Sequence, residues 1–192
     1  MSPIGLAAVF AVGVLVVVVL FLALQTYNAI VALRLRIDKA WSNIDVALKQ
    51  RFDQLPNLVE AVRGVMAFEQ TVLTDVATAR AAYRPTAPIP EQAVASEATS
   101  AAVRSLFAVV EQYPEVKSAE NVMALQDEIE RLEGLIADRR ELYNDQVYRY
   151  NARIAQFPGL LLAGLFGWRA RPFFEASAAD RSRPATDLSS PV

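Results

Sequence analysis

Four carboxylates in the first half of the chain, Asp45, Asp53, Glu60 and Glu69, have side chains that could do chemistry. In one cluster they could hold a metal ion or act as a general acid and base. The 192-residue chain contains no histidine and no cysteine, which removes the commonest general base, the commonest zinc ligand and any thiolate nucleophile. Because isolated carboxylates on helices usually face solvent, we expect no enzyme, no cofactor and no small-molecule substrate.

Other common binding motifs are missing from the sequence. The seven glycines are scattered and form no phosphate-binding loop. A di-iron bundle would need Glu-x-x-His pairs, which a chain without histidine does not contain. The formal net charge of −2 disfavours nucleic acid as a partner, because binding to phosphates requires a basic face.

A second set of polar residues lies beside an apolar helical stripe. Within residues 27–62, apolar residues recur in steps of three, four or seven, which predicts one buried helix face. These residues are Ile30, Ile37, Trp41, Ile44, Leu48, Phe52, Leu55, Leu58 and Val62. The polar candidates are Arg51, Glu69, Asn43, Asn57, Arg139 and Asn144. They either flank the stripe with their polar ends in water or form a buried network that fixes helix register, in which Glu69 would pair with Arg51.

The elements that position these residues begin with an uncharged apolar run from Ile4 to Leu24. At 1.5 Å per residue it spans about 31 Å, enough to cross the hydrocarbon core. A cleaved signal peptide is the alternative, but it would have a basic N-terminus and a shorter apolar stretch. Since Arg34, Arg36 and Lys39 follow the run, the positive-inside rule predicts a single-pass protein of the cell membrane with its N-terminus outside and its C-terminal domain in the cytoplasm.

The remaining chain predicts an all-α fold. Proline at position 56 suggests a helix boundary, so we expect helices over residues 26–53, 56–84, 91–113 and 116–157. These lengths suit an up-and-down antiparallel four-helix bundle after the transmembrane helix. The alternative is three long helices, the first kinked at Pro56. In the last helix, Glu128, Glu130, Arg131 and Glu133 are interpreted as a solvated face.

The domains predicted on this basis are an anchor over residues 1–25, a helical bundle over 26–158, an apolar and aromatic segment over 159–175 and a disordered tail over 176–192. The segment from Pro158 onwards is too short to span a membrane. Its aromatic and basic residues suit the membrane interface, although the segment could instead cap the bundle. The candidate interface residues are Leu161, Leu165, Phe166, Trp168, Arg169 and Arg171.

Several stretches resemble the LemA family of bacterial membrane proteins. They are YN at 27–28, LRLRIDKAWSNIDVALK at 33–49, LPNLVEAV at 55–62, YNDQVYRYN at 143–151 and FPGLLLAGLFGW at 157–168. The resemblance covers roughly residues 1–175 and implies one N-terminal transmembrane helix, a helical soluble domain and a biochemical role that is not established. This chain has Gln50 and Phe68 where relatives often carry a basic residue and a histidine.

The leading hypothesis is a non-enzymatic membrane protein whose cytoplasmic helical bundle binds protein partners or assembles with itself. The alternative is a membrane-organising or membrane-shaping protein that binds lipid through residues 158–174.

Overall fold

The computed structural model describes residues 3–63 and 69–175. Within those ranges the chain is helical and contains no strand, so the all-α prediction is confirmed. The helices are α1 (Pro3–Arg63), α2 (Gln70–Ala82), α3 (Ile89–Val110), α4 (Pro114–Lys117), α5 (Glu120–Ala155) and α6 (Gly159–Phe166). The predicted disordered tail over residues 176–192 lies outside the described residues, as does Phe68.

The predicted helix boundary at residues 53–56 is wrong. Helix α1 continues through Pro56 and ends at Arg63, so the first helix is longer than expected and the second is shorter. The predicted last helix is divided into α4 and α5. The apolar stripe of α1 is buried from Ile30 to Val62, with Trp41 half-buried, as its spacing predicts.

The chain divides into two compact units. The anchor unit contains Met1–Lys39 and Asp145–Arg171, and the second unit contains Ala40–Asn144 and Pro172–Val192. In the anchor unit, the part of α1 that could span a membrane has none of its residues buried. Outside that stretch, the core of the unit consists of Ile30, Ile37, Val147, Tyr150, Ile154 and Ala163.

The core of the second unit is built from α1, α2, α3 and α5 around Ile44, Leu48, Leu58, Val76, Leu106, Ile129 and Leu132. Helix α3 is also long and apolar enough to cross a membrane, but 39% of that stretch is buried, including the polar residues Ser96 and Thr99. Ala93, Ala95 and Val103 of α3 are buried, whereas Ala98 is exposed.

Candidate functional site

The second unit has a buried arginine at its centre. Arg51 of α1 is fully buried, and its Nη1 lies 2.6 Å from Glu133 Oε1 on α5. The same nitrogen donates to Ser100 Oγ at 2.9 Å, and Nη2 donates to Ser96 Oγ on α3 at 2.9 Å. Ser100 also donates to the other Glu133 oxygen at 2.6 Å. One guanidinium group therefore links three helices through directional bonds that fix their register.

Burial lowers the pKa of Arg51, while the charge of Glu133 and its hydrogen bond act in the opposite direction. The two partners differ in their access to water, because the Arg51 side chain is 0% exposed and the Glu133 side chain is 28% exposed. If Arg51 is removed, water can therefore hydrate Glu133. If Glu133 is removed, water cannot hydrate the buried guanidinium of Arg51 in the same way. The Arg51 Nε atom is buried and has no hydrogen-bond partner within the described part of the chain.

A cleft of about 530 Å³ opens above this pair. It is lined by Ala93, Ser96, Glu97, Ser100, Ala101, Arg104, Glu133, Ile136, Ala137, Arg140 and Phe174. Charged side chains of both signs surround it, and Arg140 lies 3.9 Å from Glu97. The cleft therefore offers both positively and negatively charged side chains for polar contacts.

Helix α1 tolerates Pro56 because a second helix supplies a substitute donor. Proline has no N–H group, so the carbonyl oxygen of Phe52, four residues earlier, loses its usual helical partner. Arg80 Nε on α2 donates to that oxygen at 3.3 Å. The Phe52 ring stacks on Tyr83 with centroids 4.0 Å apart, which holds α2 beside this position.

We expect the contribution of Arg80 to depend on Pro56. Arg80→Ala should destabilise the wild-type chain, because it leaves the Phe52 carbonyl without its donor. In a Pro56→Ala background the new backbone N–H can bond to that oxygen, so Arg80→Ala should cost less. A double-mutant cycle by urea unfolding in detergent should give a coupling energy of about 0.5–1.5 kcal/mol. Additive effects would contradict this explanation of the proline.

Glu69, predicted as the partner of Arg51, lies elsewhere. It accepts a hydrogen bond from the Tyr113 hydroxyl at 3.2 Å, and the carboxylate on Arg51 is Glu133. The prediction that Glu133 lies on a solvated face of α5 is therefore wrong. Asn43 and Asn57 are exposed, and Asn57 donates to Gln54 at 3.1 Å. Arg139 is half-buried, with its Nε buried and unpaired among the described residues.

Asn144 holds the chain that follows the anchor unit. Its side chain accepts from Phe174 N at 2.9 Å and donates to Phe174 O at 3.5 Å. The adjacent Tyr143 hydroxyl donates to Pro172 O at 2.9 Å, and Trp41 contacts the rings of Tyr143 and Phe174. Asn144 thus belongs to a backbone clamp separate from the bonds around Arg51.

The anchor unit contains the same tyrosine–asparagine pair seven residues later. The Tyr150 hydroxyl donates to Arg169 O at 3.1 Å, and Asn151 bonds to the N and O atoms of Arg171 at 2.8 and 3.0 Å. The side chain of Arg171 lies 3.3 Å from Asp38. The roles of these clamp residues were missed, although the spacing of YN in the sequence was the available signal.

Helix α6 presents an exposed apolar surface on the anchor unit. Leu160, Leu161, Leu165 and Phe166 are 57%, 63%, 76% and 50% exposed. Only Gly159 and Ala163 of this helix are buried. A side chain at Gly159 would collide with the Arg153 carbonyl oxygen, so glycine allows α6 to begin close against α5.

An aromatic cluster joins the end of α6 to α1. Gly167 adopts φ 64°, and Trp168 N donates to Ala163 O at 2.9 Å, a glycine-based helix termination. This turn places Trp168 5.5 Å and Phe166 5.1 Å from the Tyr27 ring. Tyr27 follows Leu24, the last residue of the apolar run, by three residues, or about 4.5 Å of helix. Arg169 is exposed beside this cluster.

The four carboxylates considered first do not form a catalytic cluster. Asp45 accepts from the Tyr83 hydroxyl at 3.5 Å, and burial together with Asp45 raises the pKa of Tyr83 to about 12. Glu60 lies 3.6 Å from Arg63, and Asp53 is exposed. Over residues 3–63 and 69–175, no three acidic side chains come together in a way that could hold a metal ion.

Comparison with known proteins gives the family. The LemA family profile matches residues 40–188 of the 192, well over half of the chain. The chain belongs to the LemA family. In this LemA protein, the Tyr143–Asn144 and Tyr150–Asn151 motifs bind the backbone of the segment that follows α6.

The chain is also similar to magnetosome proteins. It is 35% identical over 78 residues to Magnetosome protein MamQ 2 and to Magnetosome protein MamQ 1 of Paramagnetospirillum magneticum. It is 33% identical over the same length to Magnetosome protein MamQ of Magnetospirillum gryphiswaldense. These matches cover 41% of this chain and 29% of each relative, so the chain matches less than a third of the length of these curated relatives.

Proposed function

We propose that this LemA protein is a non-enzymatic, single-pass membrane protein that organises lipid at a bacterial inner membrane. Its α1 crosses the bilayer, and its α6 lies in the headgroup layer as a second membrane contact. The N-terminus is outside and the second unit is in the cytoplasm. The observation that carries the proposal is the exposure of four large apolar side chains on α6, of which Phe166 contacts Tyr27.

This proposal favours the lipid-binding alternative over the adaptor hypothesis that led the sequence analysis. A segment that capped a bundle would bury its leucines, whereas Leu160, Leu161 and Leu165 are all more than half exposed. Aromatic rings at the end of an apolar run, with an exposed arginine such as Arg169 beside them, are typical of the membrane interface. The likeness to magnetosome proteins covers under half of the chain and adds no activity to the proposal.

Cysteine labelling can test this topology because the chain has no native cysteine. In native membranes, Leu165→Cys should react slowly with a water-soluble maleimide, since lipid covers a side chain that is 76% exposed. The control Ser118→Cys, on an exposed residue of the second unit, should react quickly in inverted vesicles and slowly in intact cells. Equally fast labelling at both positions in inverted vesicles would rule out the α6 contact. Protection of Leu165→Cys that persists in detergent would indicate a protein contact instead.

A second candidate function assigns the second unit to protein interaction or self-assembly. That unit contains twelve basic and nineteen acidic residues, a net charge of −7, which favours a partner with a basic surface. The cleft above Arg51 and Glu133 provides a recessed surface for such a contact. A photocrosslinker at Ala101 in native membranes distinguishes the cases, because a recurrent heterologous partner or a dimer would favour this candidate.

A further inference from the structure

The anchor unit carries a groove lined by arginines, which lies just after the apolar run of α1. It has a volume of about 570 Å³ and is formed by α1 and α5. Its lining residues are Ala29, Ala32, Leu33, Arg36, Tyr148, Arg149, Ala152, Arg153 and Gln156. The small side chains of Ala29, Ala32 and Ala152 leave the space open, and three guanidinium groups surround it.

The charge of this groove is one-sided. No acidic residue occurs among the described residues that line it. Arg149 is partly neutralised by Asp145 at 2.9 Å, which leaves Arg36 and Arg153 as the main contributors. The anchor unit contains seven basic and two acidic residues, a net charge of +5, although the whole chain has a net charge of −2. Positive charge is therefore concentrated on the unit that contains the transmembrane run.

The position of the groove indicates which anion it meets. Ala29 follows Leu24 by five residues, so the groove begins about 7.5 Å beyond the apolar run, at the outer edge of the headgroups. Side chains on an α-helix lean towards its N-terminus, so Arg36 leans towards the bilayer. Arg36 follows Leu24 by twelve residues, about 18 Å of helix, so its stem must extend along the apolar wall formed by Ala32 and Leu33 towards the bilayer to bring the charged end to a headgroup.

We propose that this groove binds the phosphate headgroup of an anionic phospholipid. Arg36 and Arg153 contact the phosphate, and the alanine-lined wall of α1 accommodates the adjoining part of the lipid. This inference rests on the proposed membrane role of the anchor unit. It adds a specific lipid site to the contact made by α6.

Native mass spectrometry of the full chain, extracted in mild detergent with phosphatidylglycerol or phosphatidylcholine, tests the site. The wild-type chain should retain phosphatidylglycerol in preference to phosphatidylcholine. The variant Arg36→Gln/Arg153→Gln should bind phosphatidylglycerol at least about twentyfold more weakly, because each cation near an anionic surface contributes about fivefold. The control Arg63→Gln/Arg84→Gln makes the same charge change at exposed residues of the second unit and should bind as the wild type does.

A second variant separates shape from charge. Ala152→Leu keeps all three arginines but fills the groove, so it should also lose the lipid preference. Equal retention of both lipids by the wild type would overturn the proposal, and so would equal loss in the control. Displacement of the lipid by millimolar inorganic phosphate would overturn it in favour of a soluble-anion site. Protection of Leu165→Cys should be unchanged in the groove variants, which distinguishes a failure of this site from a failure of the α6 contact.

Discussion

Glu133→Ala should destabilise the second unit more than Arg51→Met, although the two side chains form one ion pair. Removing Glu133 leaves a guanidinium group that is 0% exposed and whose remaining hydrogen bonds, within the described residues, go to Ser96 and Ser100, at a cost of about 3–5 kcal/mol. Methionine at position 51 fills similar apolar volume, and Glu133 can then be hydrated through its exposed edge, so the cost should be nearer 2 kcal/mol. The double variant Arg51→Met/Glu133→Ala should be more stable than Glu133→Ala alone.

Urea unfolding of the full chain in detergent micelles, followed by circular dichroism, measures these differences. Glu128→Ala is the matched control, because Glu128 lies on the same helix and is 2.7 Å from exposed Arg131. That change should fall within experimental error, since solvent screens exposed pairs. A larger loss for Arg51→Met than for Glu133→Ala, or a double variant less stable than either single variant, would contradict the described roles of the pair.

The sequence predicts that Arg51 is a candidate for burial but does not identify its partner. Its position beside the stripe of α1 is visible in the spacing of Leu48, Phe52 and Leu55. Glu133 is 82 positions away on a helix with many charged residues, where one half-buried carboxylate resembles its solvated neighbours. The choice between Glu69 and Glu133 depends on how α5 packs against α1. The apolar pattern of one helix does not reveal how another helix packs against it.

The helix boundary predicted at Pro56 failed for a related reason. The rule that proline ends a helix assumes that the carbonyl four residues earlier stays unpaired. Here Arg80, 28 positions away, donates to Phe52 O, and the stacked rings of Phe52 and Tyr83 hold α2 in place. Local propensity cannot include a donor that arrives from another helix.

For α6, the sequence identified the segment and both of its possible environments. Its apolar composition is the same for a bundle cap and for an interfacial helix. The exposure of Leu161 and Leu165 distinguishes them, and it depends on which residues of α6 pack inward. Those are Gly159 and Ala163, whose small size gives the sequence little signal of an inward face.

Insertion of α6 into the bilayer should be strongly favourable. Full burial of a large apolar side chain contributes roughly 1.5–3 kcal/mol, so partial burial of the four exposed side chains should contribute on the order of 4 kcal/mol. The nearby aromatic cluster places Trp168 beside Tyr27, where it can report the depth of the segment. Leu161→Asp/Leu165→Asp should withdraw α6 from lipid, because it places two charges on the apolar surface.

Quenching of Trp168 by brominated lipid tests the central claim, that α6 is a second membrane contact. The full chain is reconstituted with Trp41→Phe, which leaves Trp168 as its only tryptophan. Trp168 emission should be shifted to the blue and quenched most strongly by lipids brominated near the headgroups. The Leu161→Asp/Leu165→Asp variant should lose this quenching, and a Trp168→Phe chain that retains Trp41 should not show it. Trp168 emission that is unaffected by brominated lipid would contradict the account.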